Sequence, residues 1–422
     1  MTVGTLPTLL ATPVPGGRGR WRLALYQRQF STTAPTLIAE LTDARGRRLD
    51  QTLNSAAQFT FTLDGRSDVA ALIQELTTDI VVSRWDETAG RDIPYFRGII
   101  GQSEDQITEQ SHVVTFTAHD YLAMLSRRYV TNTQAWTATD QDNIANGLLS
   151  AALNVAATPG TPSFTPGSYL PLQANWFNPD GSARAVSGQL RDRTYAGSTE
   201  ILSAIDDLAH VINGFDYDVI PGMSPKVSPN RPYDWLRLFY PNQGITRTDP
   251  LEYGGTIATV TRAINSSTYA NFERVLGNNG SSDPAAAQRY SEQWNSDSNN
   301  VGVVPIGLWM NTENAADVTI QTTLDQQAQG QLNLDGVLIP SYTIGLTPHT
   351  YAEGKFNMGD TVPIIINSGR LKVNTQLRIV GISFDIGEDG EENVSFTVGR
   401  PRNTLANMLA GTAADVDALA RR

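Results

Sequence analysis

The sequence RGII at residues 97–100, followed after an acidic stretch by HVVTFT at residues 112–117, recurs in similar form near the other end of the chain. The second copy is VGI at residues 380–382, followed after an acidic turn by NVSFTV at residues 393–398. In each copy a segment with alternating polar and apolar residues follows a glycine-containing apolar run, which is typical of half-buried strands. Two related β units indicate an architecture built by duplication, and this favours a scaffold over a catalyst.

The alternation continues through the N-terminal part of the chain. Phe59, Phe61 and Leu63 alternate with polar residues, which predicts a strand with one buried face. We predict further strands at residues 21–30, 36–42, 79–85 and 95–101. About six strands in ~100 residues, with no long helix between them, favour an antiparallel barrel or sandwich.

Helical periodicity interrupts this β pattern. The clearest helix spans residues 199–212, where Ser198 is suited to cap the N-terminus. Its apolar stripe consists of Ile201, Ile205, Leu208 and Ile212. Other helices are predicted at residues 120–128, 140–153, 315–329 and 403–420, and other strands at 215–219, 235–240, 256–264, 376–386 and 393–398. The last helix has a partial stripe suited to docking on a neighbouring subunit, made of Leu405, Met408, Leu409, Val416 and Leu419.

These changes of pattern divide the chain into regions, and its length is enough for roughly three domains. We predict a β domain at residues 1–130, a mixed α+β domain with Pro/Gly-rich loops at 131–255, a mixed linker domain at 256–335, a second β domain at 336–401 and a C-terminal helix at 402–422. Asp389-Gly390 predicts the hairpin turn of the second β domain. The predicted fold class is therefore a β-rich α+β multidomain protein.

Composition excludes several classes of function. The formal net charge is −12, which argues against a surface that binds nucleic acid by neutralising phosphates. The chain has no cysteine, so disulfides, thiolate metal sites and cysteine nucleophiles are excluded. The N-terminus lacks a secretory-signal pattern and no segment approaches the ~20 apolar residues of a membrane span. We therefore expect a soluble chain with no stable membrane insertion.

Motifs for phosphate and metal binding are weak. The glycines at residues 16–19 precede a predicted strand and not a helix, which favours a flexible loop over a phosphate cradle. The four histidines, His112, His119, His210 and His349, have no metal-ligand spacing. The acidic run Asp385, Glu388, Asp389, Glu391 and Glu392 lacks the ligand spacing of a calcium loop, and a solvated hairpin tip is favoured.

Two readings as a carbohydrate-active protein stay open. Asp206-Asp207 and the pair Asp216 with Asp218 could supply the two carboxylates of a glycosidase, although Asp216 and Asp218 also fit ordinary strand alternation. A loop at residues 158–181 carries the exposed-looking aromatic residues Phe164, Tyr169, Trp176 and Phe177, which suit sugar stacking or, more readily, a subunit interface. No Gly-x-Ser-x-Gly elbow supports a serine hydrolase.

Several short motifs, in order along most of the chain, resemble the baseplate hub or tail-tip hub of tailed bacteriophages, a family of minor tail proteins. They are FRGII at residues 96–100, DYLAMLSRR at 120–128, GDTV at 359–362, GI at 381–382 and GRP at 399–401. The resemblance implies two duplicated antiparallel β-barrel domains of the tail-tube type, at residues 1–130 and 336–401, joined by smaller mixed domains. The internal repeat is what this plan predicts.

The resemblance also implies a function. A homotrimer of two-barrel subunits would form a quasi-sixfold ring that joins the hexameric tail tube and distal tail protein ring to a threefold central fibre or spike. Its partners would be the tape-measure protein and other minor tail proteins, and DNA would pass through the lumen during ejection without specific binding. The location would be the tail tip of the virion, assembled in the bacterial host cytoplasm.

No catalytic, cofactor or metal residues are predicted. Some tail-associated proteins continue into a peptidase or muramidase domain, whereas this sequence ends shortly after Arg400, so we expect a structural virion protein without enzymatic activity. The alternatives are a phage glycan-binding adhesin that uses Trp176 and Phe177, and a tail-associated glycoside hydrolase that uses the acidic pairs. Neither alternative accounts for the repeat.

Overall fold

The structure is a computed structural model, and it describes most of the chain from Trp21 to Gly399. The described residues are 21–27, 36–86, 90–130, 132–153, 172–209, 213–221, 234–264, 266, 269–277, 288–294, 307–314, 321–336, 340–348, 350–351, 355–388 and 391–399. Several sequence predictions lie outside these residues: the glycine loop at 16–19, Phe164, Tyr169, His210, His349, the turn at Asp389-Gly390 and the helix at 403–420.

The chain forms two compact units. Unit 1 consists of Met1–Ala209, Phe215–Val260 and Thr343–Val398, and unit 2 consists of His210–Gly214, Thr261–Tyr342 and Gly399–Arg422. The domain boundaries predicted from the sequence stay a prediction.

Strands dominate the described residues. In chain order they are β1 (Trp21–Gln27), β2 (Thr36–Glu40), β3 (Arg45–Thr52), β4 (Gln58–Asp64), β5 (Thr78–Asp86), β6 (Arg91–Ile107), β7 (His112–Asp120), β8 (Gln134–Asp140), β9 (Leu172–Phe177), β10 (Ala183–Arg184), β11 (Leu190–Tyr195), β12 (Asp216–Ile220), β13 (Asp234–Phe239), β14 (Leu251–Glu252), β15 (Ile257–Ala263), β16 (Phe272–Leu276), β17 (Tyr290–Trp294), β18 (Met310–Asn314), β19 (Ser341–Leu346), β20 (Thr361–Ser368), β21 (Leu371–Ile386) and β22 (Glu392–Gly399). The predicted β-rich α+β class is confirmed.

The helices are α1 (Leu122–Leu125), α2 (Gln141–Leu153), α3 (Ile201–Ala209) and α4 (Gln321–Asp335). None of the helices in the described part of the chain is long and apolar enough to cross a membrane. The prediction of Ser198 as a helix cap is wrong. Helix α3 begins later, at Ile201, and Ser198 has a left-handed φ of 76° while its backbone N–H donates to Val130 O at 2.7 Å.

The predicted alternation of β4 is confirmed. Phe59, Phe61 and Leu63 are buried while their polar neighbours are half-buried, because successive side chains of a strand point to opposite faces of the sheet. The ring of Phe61 stacks on that of Phe116 in β7, with centroids 5.2 Å apart. This cross-strand pair fixes the register in which Phe61 lies opposite Phe116.

Both copies of the repeat form long hairpins in one sheet. The order of this thirteen-stranded sheet is β15-β19-β22-β21-β3-β4-β7-β6-β5-β1-β2, with β14 and β20 off the path. The two repeat glycines lie at close approaches between strands. A Cβ on Gly98 would be 2.6 Å from His119 O, and one on Gly381 would be 3.2 Å from the Cβ of Thr397. The backbone therefore leaves no room for a side chain at Gly98, whereas a side chain at Gly381 would require Thr397 to shift by a few tenths of an ångström.

The two separate barrels implied by the resemblance are not confirmed by the strand pairing. Within the described residues, β21 of the second copy pairs with β3 of the first region, with Gly381 opposite Thr52 and Ile386 opposite Arg47. None of the sheets in these residues closes on itself. The two copies are therefore joined through backbone hydrogen bonds between β21 and β3.

A four-stranded sheet with the order β10-β9-β13-β12 lies beside the large one in unit 1. Strand β13 is parallel to β9 and antiparallel to β12. Three members of the predicted apolar stripe, Ile201, Ile205 and Leu208, are buried together with residues of α2 and of this sheet, as expected for an amphipathic helix that packs on a core. The fourth, Ile212, lies outside the described residues. The larger side chains that α2 and α3 bury in this core are Ile144, Leu148, Leu149, Ile201, Ile205 and Leu208.

Unit 2 contains a three-stranded sheet in which β16 is the central strand. It pairs with β17 antiparallel and with β18 parallel. Helix α4 packs on one face, where Leu324 and Ala328 contact Val275 of β16 in a small core. Glu273 of the same strand is also fully buried, and its side chain lies on the face of Val275 because both are two residues apart in the strand.

Candidate functional site

The long strand of the first repeat, β6, carries a buried arginine. Arg97 is 7% exposed, and its Nη2 lies 3.1 Å from Asp79 Oδ2 while its Nη1 lies 3.4 Å from Asp234 Oδ1. The hydroxyl of Tyr121 donates to the same oxygen of Asp79. The guanidinium also lies over the Tyr121 ring, 5.2 Å from its centroid. One arginine thus joins strands β5 and β6 to Asp234 at the start of β13.

The long strand of the second repeat, β21, carries a second buried arginine. Arg378 is 1% exposed, and its Nη2 donates to Asp216 Oδ2 and, at 2.8 Å, to Gln243 O. Its Nε donates to Gly359 O at 3.1 Å. Asp216 also accepts a hydrogen bond from Asn54 Nδ2 at 3.1 Å. A buried carboxylate held in this way is compensated in charge and in hydrogen bonding.

The two arginines reach neighbouring strands of the same small sheet. Asp216 begins β12 and Asp234 begins β13, which pair with each other. In each repeat, therefore, one buried arginine of the large sheet forms an ion pair with an aspartate of the four-stranded sheet of unit 1. Because an ion pair of this kind is costly when either partner is missing, the two pairs select one position of the small sheet on the large one.

Two buried aspartates hold turns through backbone N–H groups. Asp120 accepts from Ala57 N and Leu122 N, both at 2.9 Å. Burial raises the pKa of Asp120 to about 7, with the nearby charge of Asp234 acting in the same direction and the backbone hydrogen bonds opposing it. Asp360 accepts from Ile245 N at 2.8 Å. It also accepts from Asn357 N at 2.9 Å and from Arg247 Nε at 2.6 Å.

Asp120 and Asp360 line a cavity of about 410 Å³ in unit 1, within the size range of sites that hold a small ligand or a peptide side chain. Its aromatic lining is Tyr95, Phe239, Tyr351 and Phe356, and its charged lining is Asp120, Asp180, Asp218, Arg237, Arg247 and Asp360. Arg237 and Asp218 form a two-contact ion pair, with Nε to Oδ1 at 2.7 Å. The lining contains no histidine, so a serine–histidine or metal–histidine arrangement has no support here.

Comparison with known proteins gives a likeness in fold. No protein-family model and no curated protein matches the chain. Among solved structures, the 43 kDa tail protein of prophage MuSo2 from Shewanella oneidensis matches 91% of this chain and 99% of its own, with a TM-score of 0.56 and 11% identity. A tail protein from Neisseria meningitidis MC58 matches 92% and 99%, with a TM-score of 0.54 and 10% identity. The chain has the fold of these tail proteins.

Two of the aromatic residues named for a glycan-binding adhesin, Trp176 and Phe177, are buried. Trp176 and Phe177 lie in strand β9 and are only 4% and 8% exposed, so the prediction that they are exposed aromatics of a loop is wrong. The Trp176 ring packs edge-on against Phe215, with centroids 5.0 Å apart. Phe177 packs against Phe239, with centroids 5.7 Å apart. Rings that are buried in a core cannot stack on a sugar.

Three of the acidic residues named for a glycosidase, Asp206, Asp216 and Asp218, have partners within the protein. Asp216 and Asp218 share one face of β12, as predicted, but each is occupied by an arginine, Arg378 and Arg237 respectively. Asp216 is buried in the protein, whereas a catalytic carboxyl has to contact the sugar. Asp206 accepts a hydrogen bond from the Tyr217 hydroxyl at 2.6 Å. Asp216 and Asp218 therefore form internal ion pairs, and Asp206 is a hydrogen-bond acceptor.

His112 and several residues of the acidic run have structural partners. His112 and His119 lie near opposite ends of β7, and His112 Nε2 is 2.7 Å from Asp105 Oδ1. The predicted solvated hairpin tip is wrong for Glu392, whose carboxylate pairs with Arg84 at 2.6 Å and has a side chain 9% exposed. In the described part of the chain no three His, Asp or Glu side chains are grouped to hold a metal ion.

Sequence reasoning missed the buried arginine pairs. The available signal was the motif context, since Arg97 precedes Gly98 in the first copy and Arg378 lies three residues before Gly381 in the second. An arginine in a strand of otherwise apolar alternation indicates a buried ion pair, because such residues are almost never fully buried unless they are paired. Their partners Asp216 and Asp234 are far away in sequence, and only the fold brings them together.

Proposed function

We propose that this chain is a structural component of a bacteriophage tail tip, the trimeric baseplate hub. The observation that carries the proposal is the likeness in fold to two tail proteins, each of which is matched over more than nine-tenths of both chains. The two repeat hairpins with their paired arginines support it, because a hub with two related halves per subunit converts threefold into quasi-sixfold symmetry.

In this proposal the two related β regions, residues 1–130 and 336–401, are the tail-tube-like domains of the ring. The mixed regions at residues 131–255 and 256–335 join these two regions in the sequence. The ring joins the hexameric tail tube and the distal tail protein ring on one side to a threefold fibre or spike on the other. The location is the tail tip of the virion.

The charge of the chain suits a conduit. A net charge of −12 repels the phosphates of DNA, so that DNA and the tape-measure protein pass through a lumen without being held. A lumen that bound DNA would slow ejection. The internal pairing of the arginines Arg97, Arg378 and Arg84 also leaves these cations unavailable to phosphates.

The test is the mass of the purified chain in solution. A closed threefold ring of the 45.9 kDa chain has a mass of about 138 kDa, and light scattering coupled to size exclusion measures it directly. We expect this mass and, by negative-stain electron microscopy, a ring with a central channel. A chain that stays a monomer at all concentrations, and that also fails to form rings with a distal tail protein, would contradict the proposal.

We also expect no cell-wall hydrolysis. The carboxylates that a glycosidase would need are engaged by arginines and by a tyrosine. The purified chain incubated with peptidoglycan should release no more reducing ends or free amines than a buffer control. Release that increases with protein concentration, and that disappears with Asp216→Asn, would show that the chain is an enzyme.

A further inference from the structure

The far end of the hairpin of β6 and β7 is an acidic surface. Residues 101–113 contain no lysine or arginine, and they contain three acidic residues, Glu104, Asp105 and Glu109. Residues 101–111 are all exposed, so both faces of this end of the hairpin are accessible to solvent. The Ser103 hydroxyl donates to the carboxylate of Glu75, which brings a fourth acidic group to the same place. We call residues 101–113 the acidic hairpin.

The hairpin of β20 and β21 ends in a basic surface, and we call residues 366–376 the basic hairpin. It carries Arg370 and Lys372, which are both exposed, and the sequence from residue 361 to residue 384 contains no acidic residue. The neighbouring strand β14 places one exposed acid, Glu252, opposite Ile365. In a chain whose net charge is −12, this hairpin is therefore a local site of positive charge.

The strand register places the two hairpins at opposite ends of the large sheet. Strands β21, β3, β4 and β7 are neighbours in this order. Gly381 of β21 and His119 of β7 lie at one end of this block, and Ile386 and Val113 lie at the other. The turn of the basic hairpin precedes Gly381 by about ten residues, and so it projects roughly 33 Å past the first end. The turn of the acidic hairpin lies past the second end.

The charges of both hairpins are available to a partner. Within the described residues Glu104, Glu109 and Arg370 form no ion pair. The acidic hairpin also exposes apolar surface, because Ile107 is 70% exposed and Val113 is 37% exposed. Exposed ion pairs add little binding energy by themselves, but opposite charges steer two surfaces together and like charges keep them apart. The charges therefore select the partner surface, and the apolar side chains add contact area.

We propose that the acidic hairpin of one chain binds the basic hairpin of the next copy of the same chain. The two surfaces differ and lie at opposite ends of the sheet, so the contact is head to tail. A head-to-tail contact closes into a ring when the rotation between successive copies divides a full turn. In a closed ring every acidic hairpin has a basic partner. This inference rests on the proposed hub, and it names the surfaces that join its neighbouring subunits.

Charge reversal of the full chain tests this contact. The first variant combines Glu104→Lys with Glu109→Lys, and it keeps the hydrogen bond between Asp105 and His112. The second combines Arg370→Glu with Lys372→Glu. The third carries all four substitutions and thereby exchanges the charges of the two hairpins. The control combines Arg127→Glu with Arg262→Glu, two exposed arginines outside both hairpins, and it changes the net charge as much as the second variant does. Circular dichroism checks that each variant is folded.

The measurement is the mass in solution by light scattering at low salt. We expect the wild type and the control at about 138 kDa, the mass of three copies of 45.9 kDa. The first and second variants should have the monomer mass of 45.9 kDa, because like charges then face each other. The third variant should return to the mass of the wild type, since opposite charges face each other again.

Two results would overturn the inference and leave the hub proposal intact. In the first, the wild type is a trimer and the first and second variants are trimers as well. In the second, the third variant is folded but stays a monomer. A control that dissociates like the second variant would also overturn the inference, because net charge and not the hairpins would then govern assembly. A wild type that stays a monomer would instead contradict the proposed ring itself.

Discussion

Arg378→Met is expected to lower the free energy of unfolding of unit 1 by about 3–5 kcal/mol, the usual cost of removing one partner of a buried ion pair. The substitution leaves the Asp216 carboxylate buried without its cation, and it removes the donors to Gln243 O and Gly359 O. Urea unfolding followed by tryptophan fluorescence measures the change. The loss is large compared with the total stability of a domain, about 5–15 kcal/mol.

A matched substitution of an exposed arginine distinguishes the effect of burial from the effect of removing a charge. Arg48 also lies in the large sheet and pairs with Asp50 and Asp385, but its side chain is 48% exposed. Arg48→Met should therefore cost less than about 1 kcal/mol. Adding Asp216→Asn to Arg378→Met removes the uncompensated charge and should recover part of the loss. Equal effects of Arg48→Met and Arg378→Met would show that Arg378 does not position the small sheet.

The strands themselves could be predicted from local pattern. Alternation in β4 and β7 and the apolar stripe of α3 report burial on one face directly, since these elements expose their other face. The hairpin of β21 and β22 followed in the same way from its sequence. These predictions are confirmed because each depends on residues that are neighbours in the chain.

Long-range pairing could not be predicted. Nothing local indicates that β21 pairs with β3, about 330 positions away, and this pairing places both repeats in one sheet. The misjudged aromatics have a similar origin. Trp176 and Phe177 follow a proline-rich segment, yet they form a strand because β13 offers them a parallel partner, with Leu238 opposite Trp176 and Phe239 opposite Phe177.

The chemistry of unit 1 was hidden for the same reason. Asp120 and Asp360 stand in motifs that carried the resemblance to tail hubs, DYLAMLSRR and GDTV, but the sequence does not say what they bind. In the structure both accept backbone N–H groups of segments that are distant in the chain, Ala57 and Ile245. An aspartate in this role holds a turn in place, so its motif carries information about the fold.

A second large effect is expected in unit 2 from Glu273. The residue is fully buried in β16, between the sheet and α4. Burial raises the pKa of its carboxyl to about 7. The charges of Asp335 on α4 and Glu313 on β18 also raise this pKa, and a hydrogen bond with Asn311 lowers it. The unfolded chain has the ordinary value of 4.5 for this group. The folded unit therefore binds a proton that the unfolded chain releases between these two pH values.

This difference in bound protons determines how the stability of unit 2 changes with pH. Between pH 4.5 and about 7 the folded state holds more protons than the unfolded state, so stability falls as the pH rises through this window and stays low above it. Glu273→Gln keeps the shape without the charge. It should equal the wild type near pH 4 and be more stable by about 2–3 kcal/mol at pH 8, from the size of the pKa shift.

The stability of unit 2 is measured by the hydrogen exchange of the backbone amides of β16 at pH 5.5 and pH 8, corrected for the intrinsic exchange rate. This measurement does not require unit 1 to unfold. The control is Glu292→Gln on the neighbouring strand β17, because Glu292 pairs with Arg274 and is partly exposed. That variant should keep the pH dependence of the wild type. If Glu273→Gln kept it as well, Glu273 would be ionised in the folded unit, and α4 would have to move from β16 to admit water to the carboxylate.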